Sequence, residues 1–153
     1  MFENGMQSMR MNYYPACPEP DKVIGLTPHS DASGITILLQ LNGVEGFQVK
    51  KDGIWIPLKS LPDAFVVNLG DIIEILSNGL YKSIEHRAVV NSEKERTSIA
   101  MFFNPKFEAQ VGPSPSLLIN QKPLFRHMKL EHYVKDFFSR KLNGKSFIDY
   151  MKI

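Results

Sequence analysis

The stretch VIGLTPHSD, residues 23–31, opens as an apolar strand and ends in a histidine and a carboxylate two positions apart. Side chains two apart in a strand lie on the same face of the sheet. His29 and Asp31 can therefore bind one metal ion together at the end of this strand. The segment indicates a β-rich fold in which a strand end carries the chemistry.

Short apolar segments separated by Gly and Pro continue from residue 10 to about residue 105. This pattern is typical of an all-β sandwich or barrel. Asp52-Gly53 lies between two such segments and predicts a tight β-hairpin. Eight strands predict a double-sheet jelly roll, whose larger members enclose a ligand cavity. The predicted strands are residues 10–14, 23–27, 35–40, 47–51, 54–58, 64–69, 83–90 and 97–104.

The last third of the chain changes to helical spacing. After a Pro-rich extended connection, apolar residues at Leu130, Val134, Phe137 and Phe138 predict a helix over residues 124–142. Gly144 is predicted as its C-cap, and a further short turn is expected to begin at Ser146. The expected organisation is an N-terminal segment 1–9, a jelly-roll core 10–105, and an extension 106–153 whose helix packs on the core.

The composition describes a soluble globular protein. The 153 residues are 43% hydrophobic and 22% charged, and the net charge of +2 is too small to favour nucleic acid or an anionic membrane as a partner. Cys17 is the single cysteine, which excludes an intrachain disulfide framework. The start lacks the features of a signal peptide, and no apolar run approaches the ~20 residues of a membrane span. We expect a cytoplasmic protein with a small-molecule partner.

A third metal ligand is expected from the strand around His86. In this strand Ile84, His86 and Ala88 alternate onto one face, which places a histidine among apolar neighbours. A single buried histidine is often a core residue bonded to a backbone carbonyl. Two histidines with one carboxylate, however, form the facial triad that holds ferrous iron and leaves positions open for other ligands.

Arg96 and Ser98 share a face of the last predicted strand. If this face lines the cavity, the guanidinium is buried, and a buried guanidinium requires an anion. A bound dicarboxylate suits its fork geometry, with the Ser98 hydroxyl as an additional donor. The alternative is an ion pair between Arg96 and a protein acid such as Asp71 or Glu74.

The first strand offers two further polar side chains. Asn12 and Tyr14 share a face by the same alternation. Tyr14 can donate a hydroxyl to the bound acid, and Asn12 can hydrogen-bond the acid or a ligand. Either side chain can equally pair with a strand neighbour.

Four motifs occur in one order: NYYPACP at 12–18, LTPHSD at 26–31, Glu85-His86-Arg87 and Arg96-Thr97-Ser98. From about residue 8 to Ile153, the chain resembles the plant Fe(II)- and 2-oxoglutarate-dependent dioxygenases. Within that family it is most similar to the codeine O-demethylase and norcoclaurine synthase-like subgroup. The resemblance implies a double-stranded β-helix, which agrees with the predicted jelly roll.

The resemblance also implies cofactors and residue roles. Fe(II), 2-oxoglutarate and O2 would be required, with ascorbate as a reductant. The implied roles are metal binding for His29, Asp31 and His86, 2-oxoglutarate binding for Arg96, Ser98, Tyr14 and Asn12, and substrate contact for Phe102.

The implied activity is hydroxylation or oxidative O-demethylation of a small hydrophobic, specialised-metabolite-like substrate. Members of the family usually run to more than twice this length, with an N-terminal half that packs against the jelly roll. Without such a half, sheet surface is exposed, and self-association is expected.

Two alternatives remain open. A zinc hydrolase also uses three protein ligands and an open position, but no general base is evident near the triad, and Arg96 would then have no role. A truncated, catalytically silent jelly roll would bind metal and 2-oxoglutarate without turnover.

Overall fold

Two four-stranded antiparallel sheets form the body of the protein in a computed structural model that describes residues 1–59 and 61–153. The first, called here the major sheet, has the order β1-β8-β3-β6, and the second, the minor sheet, has the order β2-β7-β4-β5. A short two-stranded pair, β10-β9, lies in the C-terminal region. The strands are β1 (Met6–Tyr14), β2 (Ile24–His29), β3 (Ile35–Gln40), β4 (Phe47–Lys51), β5 (Ile54–Pro57), β6 (Phe65–Leu69), β7 (His86–Val89), β8 (Arg96–Asn104), β9 (Gln110–Val111) and β10 (Met128–Lys129).

Three short α-helices complete the fold: α1 (Asp71–Leu76), α2 (Leu130–Phe138) and α3 (Ser146–Met151). α1 follows the last residue of β6 after the single residue Gly70, whereas α2 and α3 belong to the C-terminal region. In the part of the chain that the structure describes, no helix is both long enough and apolar enough to cross a membrane.

The predicted mainly-β jelly roll with a C-terminal helix is confirmed. β3 and β4 have the predicted bounds, while β1 begins at Met6, inside the segment 1–9 that was expected to precede the core. β7 begins only at His86, three residues later than predicted. α1 was not predicted, because its six residues, four of them apolar, carry too little periodicity to separate helix from strand.

The Asp52-Gly53 hairpin is confirmed. Lys51 of β4 pairs with Ile54 of β5, so the loop holds two residues. Asp52 and Gly53 have φ values of 51° and 80°. Positive φ at both positions is what a type I′ turn requires, and this turn matches the twist of the two strands.

The largest apolar cluster lies outside the two sheets. It joins α1 to the C-terminal helices and includes Ile72, Leu130, Tyr133 and Ile148, each of them 0% exposed. α2 is shorter at both ends than predicted, and Phe138, expected on its apolar face, is 79% exposed. Gly144 does not cap α2, which ends at Phe138, but lies just before α3.

Candidate metal and dicarboxylate site

Two neighbouring strands of the minor sheet bring the histidines together. β2 ends at His29 and β7 begins at His86, and these two residues are partners in the strand register. Their ring centroids are 4.4 Å apart. Asp31 lies two residues beyond the end of β2, and all three side chains are buried. The sequence prediction that these residues converge is confirmed by the geometry.

The donor atoms of the three residues surround one point. His29 Nε2 and His86 Nε2 each lie 3.5 Å from Asp31 Oδ1. The three ligand atoms all lie within 4.8 Å of one another. A separation of 3.5 Å is shorter than two metal–ligand bonds of about 2.1 Å, so one ion can reach each carboxylate–imidazole pair. The three side chains therefore fit a divalent metal with nitrogen and oxygen ligands.

Both imidazoles turn the correct nitrogen toward that point. His29 Nδ1 lies 2.7 Å from the carbonyl of Thr27, and His86 Nδ1 lies 3.1 Å from the carbonyl of Ile84. A carbonyl only accepts hydrogen bonds, so each Nδ1 carries the proton and donates it. Each Nε2 then has a free lone pair, which is the usual arrangement of histidine ligands to metals.

Asp31 is oriented by two donors that the sequence did not predict. Thr36 Oγ1 and Asn68 Nδ2 donate to Asp31 Oδ2 over 2.6 and 2.9 Å, which leaves Oδ1 facing the histidines. Thr36 and Asn68 are register partners on β3 and β6, so the major sheet holds the carboxylate of a minor-sheet ligand. Only the pairing of β3 with β6 could have indicated these residues.

The pKa shifts of Asp31 and His86 favour the protonation states that bind a cation. Burial acts to raise the pKa of Asp31. When the imidazoles also carry a proton on Nε2, hydrogen bonding with His29 and the charge of His86, together with the bonds from Asn68 and Thr36, outweigh burial and hold that pKa well below the usual range. Burial lowers the pKa of His86, against the opposing charge of Asp31. An ionised carboxylate beside a neutral imidazole is the state that binds metal.

Arg96 is buried on the interior face of β8. The side chain is 2% exposed, and its guanidinium donates to Gln40 Oε1 over 2.9 Å and to Ser98 Oγ over 3.5 Å. The Nε atom has no hydrogen-bond partner, and the Tyr14 ring lies 5.4 Å from the guanidinium carbon. Burial lowers the pKa of Arg96, and Tyr14 partly offsets this effect. An arginine remains charged even so.

Within residues 1–59 and 61–153, no carboxylate forms an ion pair with Arg96. Asp71 and Glu74, the acids considered as its partners, instead accept hydrogen bonds from Ser83, whose hydroxyl donates to Asp71 and whose backbone N–H donates to Glu74. The alternative of an intramolecular ion pair is therefore wrong. A buried cation with only neutral partners indicates a site for an external anion.

Two glycines make room for this anion site. A Cβ at Gly46 would lie 2.8 Å from Cδ of Arg96, and a Cβ at Gly25 would lie 2.9 Å from Cδ1 of Tyr14. Contacts this short do not occur in real side-chain packing. Because glycine has no Cβ, Arg96 can pack closely against position 46 and Tyr14 against position 25.

A cavity between the sheets connects the triad to Arg96. The predicted residues Tyr14, Asn12 and Phe102 all line it. Asn12 is half-buried and donates a long 3.4 Å hydrogen bond to Ser98 Oγ, so it joins the polar group around Arg96 through a strand neighbour. Arg10 also lines the cavity and was not predicted as a site residue. Phe103, on the opposite face of β8, does not line it.

A family model named the 2OG-Fe(II) oxygenase superfamily matches residues 5–105 of the chain. The chain belongs to the 2OG-Fe(II) oxygenase superfamily. The name of the superfamily contains an iron ion and 2-oxoglutarate, which are a metal and a dicarboxylate. The predicted family, with Fe(II) and 2-oxoglutarate as its cofactors, is confirmed, whereas ascorbate stays a prediction.

Among curated members of the superfamily, codeine O-demethylase of Papaver somniferum is 59% identical over the whole of this chain. An oxoglutarate-dependent flavonoid 7-O-demethylase of Ocimum basilicum is 54% identical, again over the whole chain. The chain spans 43% and 41% of the length of these two relatives. The similarity thus extends beyond the family model to the C-terminal helices.

A solved structure of JOX2 in complex with 2OG, Fe and JA superposes on the chain with a TM-score of 0.94 and 45% sequence identity. The match covers 99% of this chain and 45% of JOX2. A dioxygenase for auxin oxidation from rice matches with a TM-score of 0.88 and 26% identity. The chain thus follows the fold of both structures over 99% of its own length and spans 45% and 53% of theirs.

Proposed function

We propose that this chain is the iron- and 2-oxoglutarate-binding part of an oxygenase that oxidises a small hydrophobic substrate. The observation that carries the proposal is the joint presence, in one cavity, of a buried His-Asp-His group and a buried arginine that pairs with no acid among the described residues. A His-Asp-His group by itself also suits zinc, and a buried arginine by itself suits any small anion. Together they match a metal ion and a dicarboxylate that lie side by side.

In this proposal His29, Asp31 and His86 hold Fe(II) through Nε2, Oδ1 and Nε2. The protonated Nδ1 atoms fix the two rings, and the hydrogen bonds to Asp31 Oδ2 keep its other oxygen turned to the metal. With three protein ligands, the ion would keep coordination positions for other ligands.

Arg96 and Ser98 are proposed to bind the distal carboxylate of 2-oxoglutarate. Gln40 holds one arm of the guanidinium, and the unpartnered Nε and the arm near Ser98 remain available. Tyr14 lies over the same guanidinium and is proposed to orient it and to donate to the carboxylate. Asn12 is proposed to hold the Ser98 hydroxyl in place.

The substrate is proposed to be a small apolar molecule that enters beside Phe102. This residue lines the same cavity and packs against the apolar Leu38–Phe47–Ala100 cluster. The names of two relatives describe O-demethylation of codeine and of a flavonoid, which supports hydroxylation or oxidative O-demethylation as the reaction.

When bound, iron and 2-oxoglutarate supply an oxidation in which O2 and 2-oxoglutarate give succinate and CO2 while a substrate C–H becomes C–OH. The residues of this chain contribute binding and position. The buried walls of the cavity exclude water, and the fixed Arg96 keeps 2-oxoglutarate in one orientation relative to the triad. If the oxidised carbon is an O-methyl group, the product breaks down to a free hydroxyl and formaldehyde.

The test is a turnover assay that measures succinate and formaldehyde with Fe(II), ascorbate, 2-oxoglutarate and an O-methylated aromatic substrate. The chain is assayed alone and when joined to the part of codeine O-demethylase that it does not match. We expect succinate release that depends on 2-oxoglutarate in at least the joined form. Absence of turnover in both forms, with 2-oxoglutarate still bound, would instead support a silent binding jelly roll.

Metal specificity separates this proposal from a zinc hydrolase. We expect turnover with Fe(II) and inhibition by Zn²⁺ at the same site. A chain that is active with Zn²⁺ and needs no 2-oxoglutarate would contradict the proposal.

A further inference from the structure

A buried polar cluster adjoins the metal-binding strand end, and its residues are not among those that line the cavity. It consists of Ser30, Asp71, Glu74, Ser83 and Lys145. The first four residues are at most 4% exposed. Two carboxylates buried this deeply require strong partners, because an unpaired buried charge is unstable.

Lys145 supplies the cation of this cluster. Its ammonium group donates to Glu74 Oε2 over 2.6 Å, to the Ser83 carbonyl over 2.8 Å and to Ser83 Oγ over 2.7 Å. These contacts use all three N–H bonds of the ammonium. Lys82 also approaches Glu74, over 3.4 Å, but its side chain is 65% exposed. Lys145 is therefore the principal counter-charge of the cluster.

The cluster continues from Lys145 to the metal-binding strand end. Ser83 Oγ donates to Asp71 Oδ1 over 2.5 Å, and Asp71 Oδ2 accepts from the Ser30 hydroxyl over 3.0 Å. The Asp71 amide donates to the carbonyl of Asp31 over 2.7 Å. Asp71 thus holds the side chain of Ser30, which lies between the two ligands, and the backbone of Asp31.

The segment that carries Lys145 also holds the strand end directly. The Gly144 amide donates to the carbonyl of Pro28 over 2.9 Å, and the Ser30 amide donates to the carbonyl of Gly144 over 3.3 Å. These bonds lie on either side of His29, which forms an isolated bridge with Gly144. Residues 28–31 are consequently held by Gly144 on one side and by Asp71 on the other.

We propose that Lys145 is a positioning residue for the metal site, because it links these two supports and thereby fixes the geometry of residues 28–31. The inference rests on the proposed function in taking His29 and Asp31 as metal ligands. It adds a role for the C-terminal segment, which lies outside the residues matched by the family model. Lys145 would not touch the metal, 2-oxoglutarate or substrate.

The experiment titrates the full 153-residue chain with Co(II), a stand-in for Fe(II) that does not oxidise in air. Replacing a partner that orients metal ligands weakens metal binding by about 10- to 100-fold. We expect Lys145→Met to raise the Co(II) dissociation constant about tenfold and Lys145→Arg to recover part of this loss. The matched control is Lys82→Met, which removes the exposed partner of the same carboxylate and should leave the affinity unchanged.

Folding is monitored by circular dichroism and thermal unfolding without metal. If Lys145→Met does not fold, the charge-balanced double variant Glu74→Gln with Lys145→Met is titrated instead. We expect the same loss of Co(II) affinity. In the unmodified chain, Co(II) should also slow hydrogen exchange at the Ser30 and Gly144 amides more than at the Asp52-Gly53 hairpin, because coupling between two sites is reciprocal.

Unchanged Co(II) affinity in the folded variant, or an equal loss in Lys82→Met, would overturn the positioning role and leave the proposed function standing. Equal slowing of hydrogen exchange at the hairpin would also overturn it. An unmodified folded chain that binds no Co(II) would overturn the proposed function itself, and the inference with it.

Discussion

The space between the two sheets and the C-terminal apolar cluster are both interiors, yet they differ in composition: the first mixes ionisable and apolar side chains, whereas the second is apolar. The first contains His29, Asp31, His86 and Arg96, with a small apolar cluster beside them. The second, which includes Ile72 and Ile75 of α1, consists of buried aliphatic and aromatic side chains. One interior is arranged to bind ligands and the other to bury apolar surface.

The difference indicates how stability and function are divided in this chain. Buried polar groups and a buried cation add little to stability, whereas buried apolar side chains contribute about 25 cal/mol for each Å² removed from water. A cavity that must admit metal and a dicarboxylate cannot be filled with such side chains. The C-terminal cluster therefore stabilises a fold whose central space is kept for binding.

The largest expected effect is that of His29→Ala, which should abolish function while costing little stability. Two remaining ligands bind iron poorly, so we expect turnover and metal binding to be lost. The metal-free chain should lose less stability than it does from a deletion in the C-terminal cluster. Metal titration and thermal unfolding of the same sample measure both effects, and retained turnover would contradict the assignment of the triad.

Leu130→Ala should produce the reverse result. Leu130 is fully buried in the C-terminal cluster, and Leu→Ala changes in such positions cost about 2–5 kcal/mol of unfolding free energy. Below its melting temperature the variant should bind Co(II) nearly as tightly as the unmodified chain. Phe138→Ala on the same helix is the control, because its exposed side chain should contribute little. Equal losses in the two variants would remove the distinction between the regions.

Arg96→Met should affect ligand binding more than folding. A hydrogen bond to a charged group contributes about 1.5–3 kcal/mol, so the apparent affinity for 2-oxoglutarate should fall about 10- to 100-fold at a rate of tenfold for each 1.4 kcal/mol. The ligand-free chain should be no less stable, because the replaced charge has no acidic partner. Calorimetric titration with 2-oxoglutarate and chemical denaturation measure the two quantities. A large loss of stability with normal 2-oxoglutarate binding would assign Arg96 to structure.

The smallest effect is expected on the outer face of the major sheet, which belongs to neither interior. Met11, Phe65 and Val67 are 73%, 63% and 60% exposed there. Such an apolar face favours self-association, and Val67→Lys should reduce it without changing metal affinity. Light scattering over a range of protein concentrations is the measurement. A chain that is monomeric at every concentration would contradict the expectation.

Much of the sheet interior was predictable because strand alternation is a local rule. It identified His86 as facing inward, and Arg96 and Ser98 as sharing a face, from their spacing alone. Asp31 is different: it lies beyond the end of β2, so strand alternation does not account for its position.

The supports of the site were not predictable, because they depend on pairing between distant parts of the chain. Thr36 and Asn68 reach Asp31 from the opposite sheet, and Lys145 reaches Glu74 from the C-terminal segment. No periodicity relates these positions in the sequence. α1 was missed for a different reason, since its six residues are too few for helical spacing to be recognised.

The most direct measurement is an anaerobic titration of the unmodified chain with Fe(II) and 2-oxoglutarate, followed by visible absorption. The His29–Asp31–His86 group and Arg96 predict one iron per chain and a charge-transfer band that requires both Fe(II) and 2-oxoglutarate. The band should be absent in His29→Ala and should need more 2-oxoglutarate in Arg96→Met. A folded chain that gives no band with saturating iron and 2-oxoglutarate would contradict the assignment of this interior as an oxygenase site.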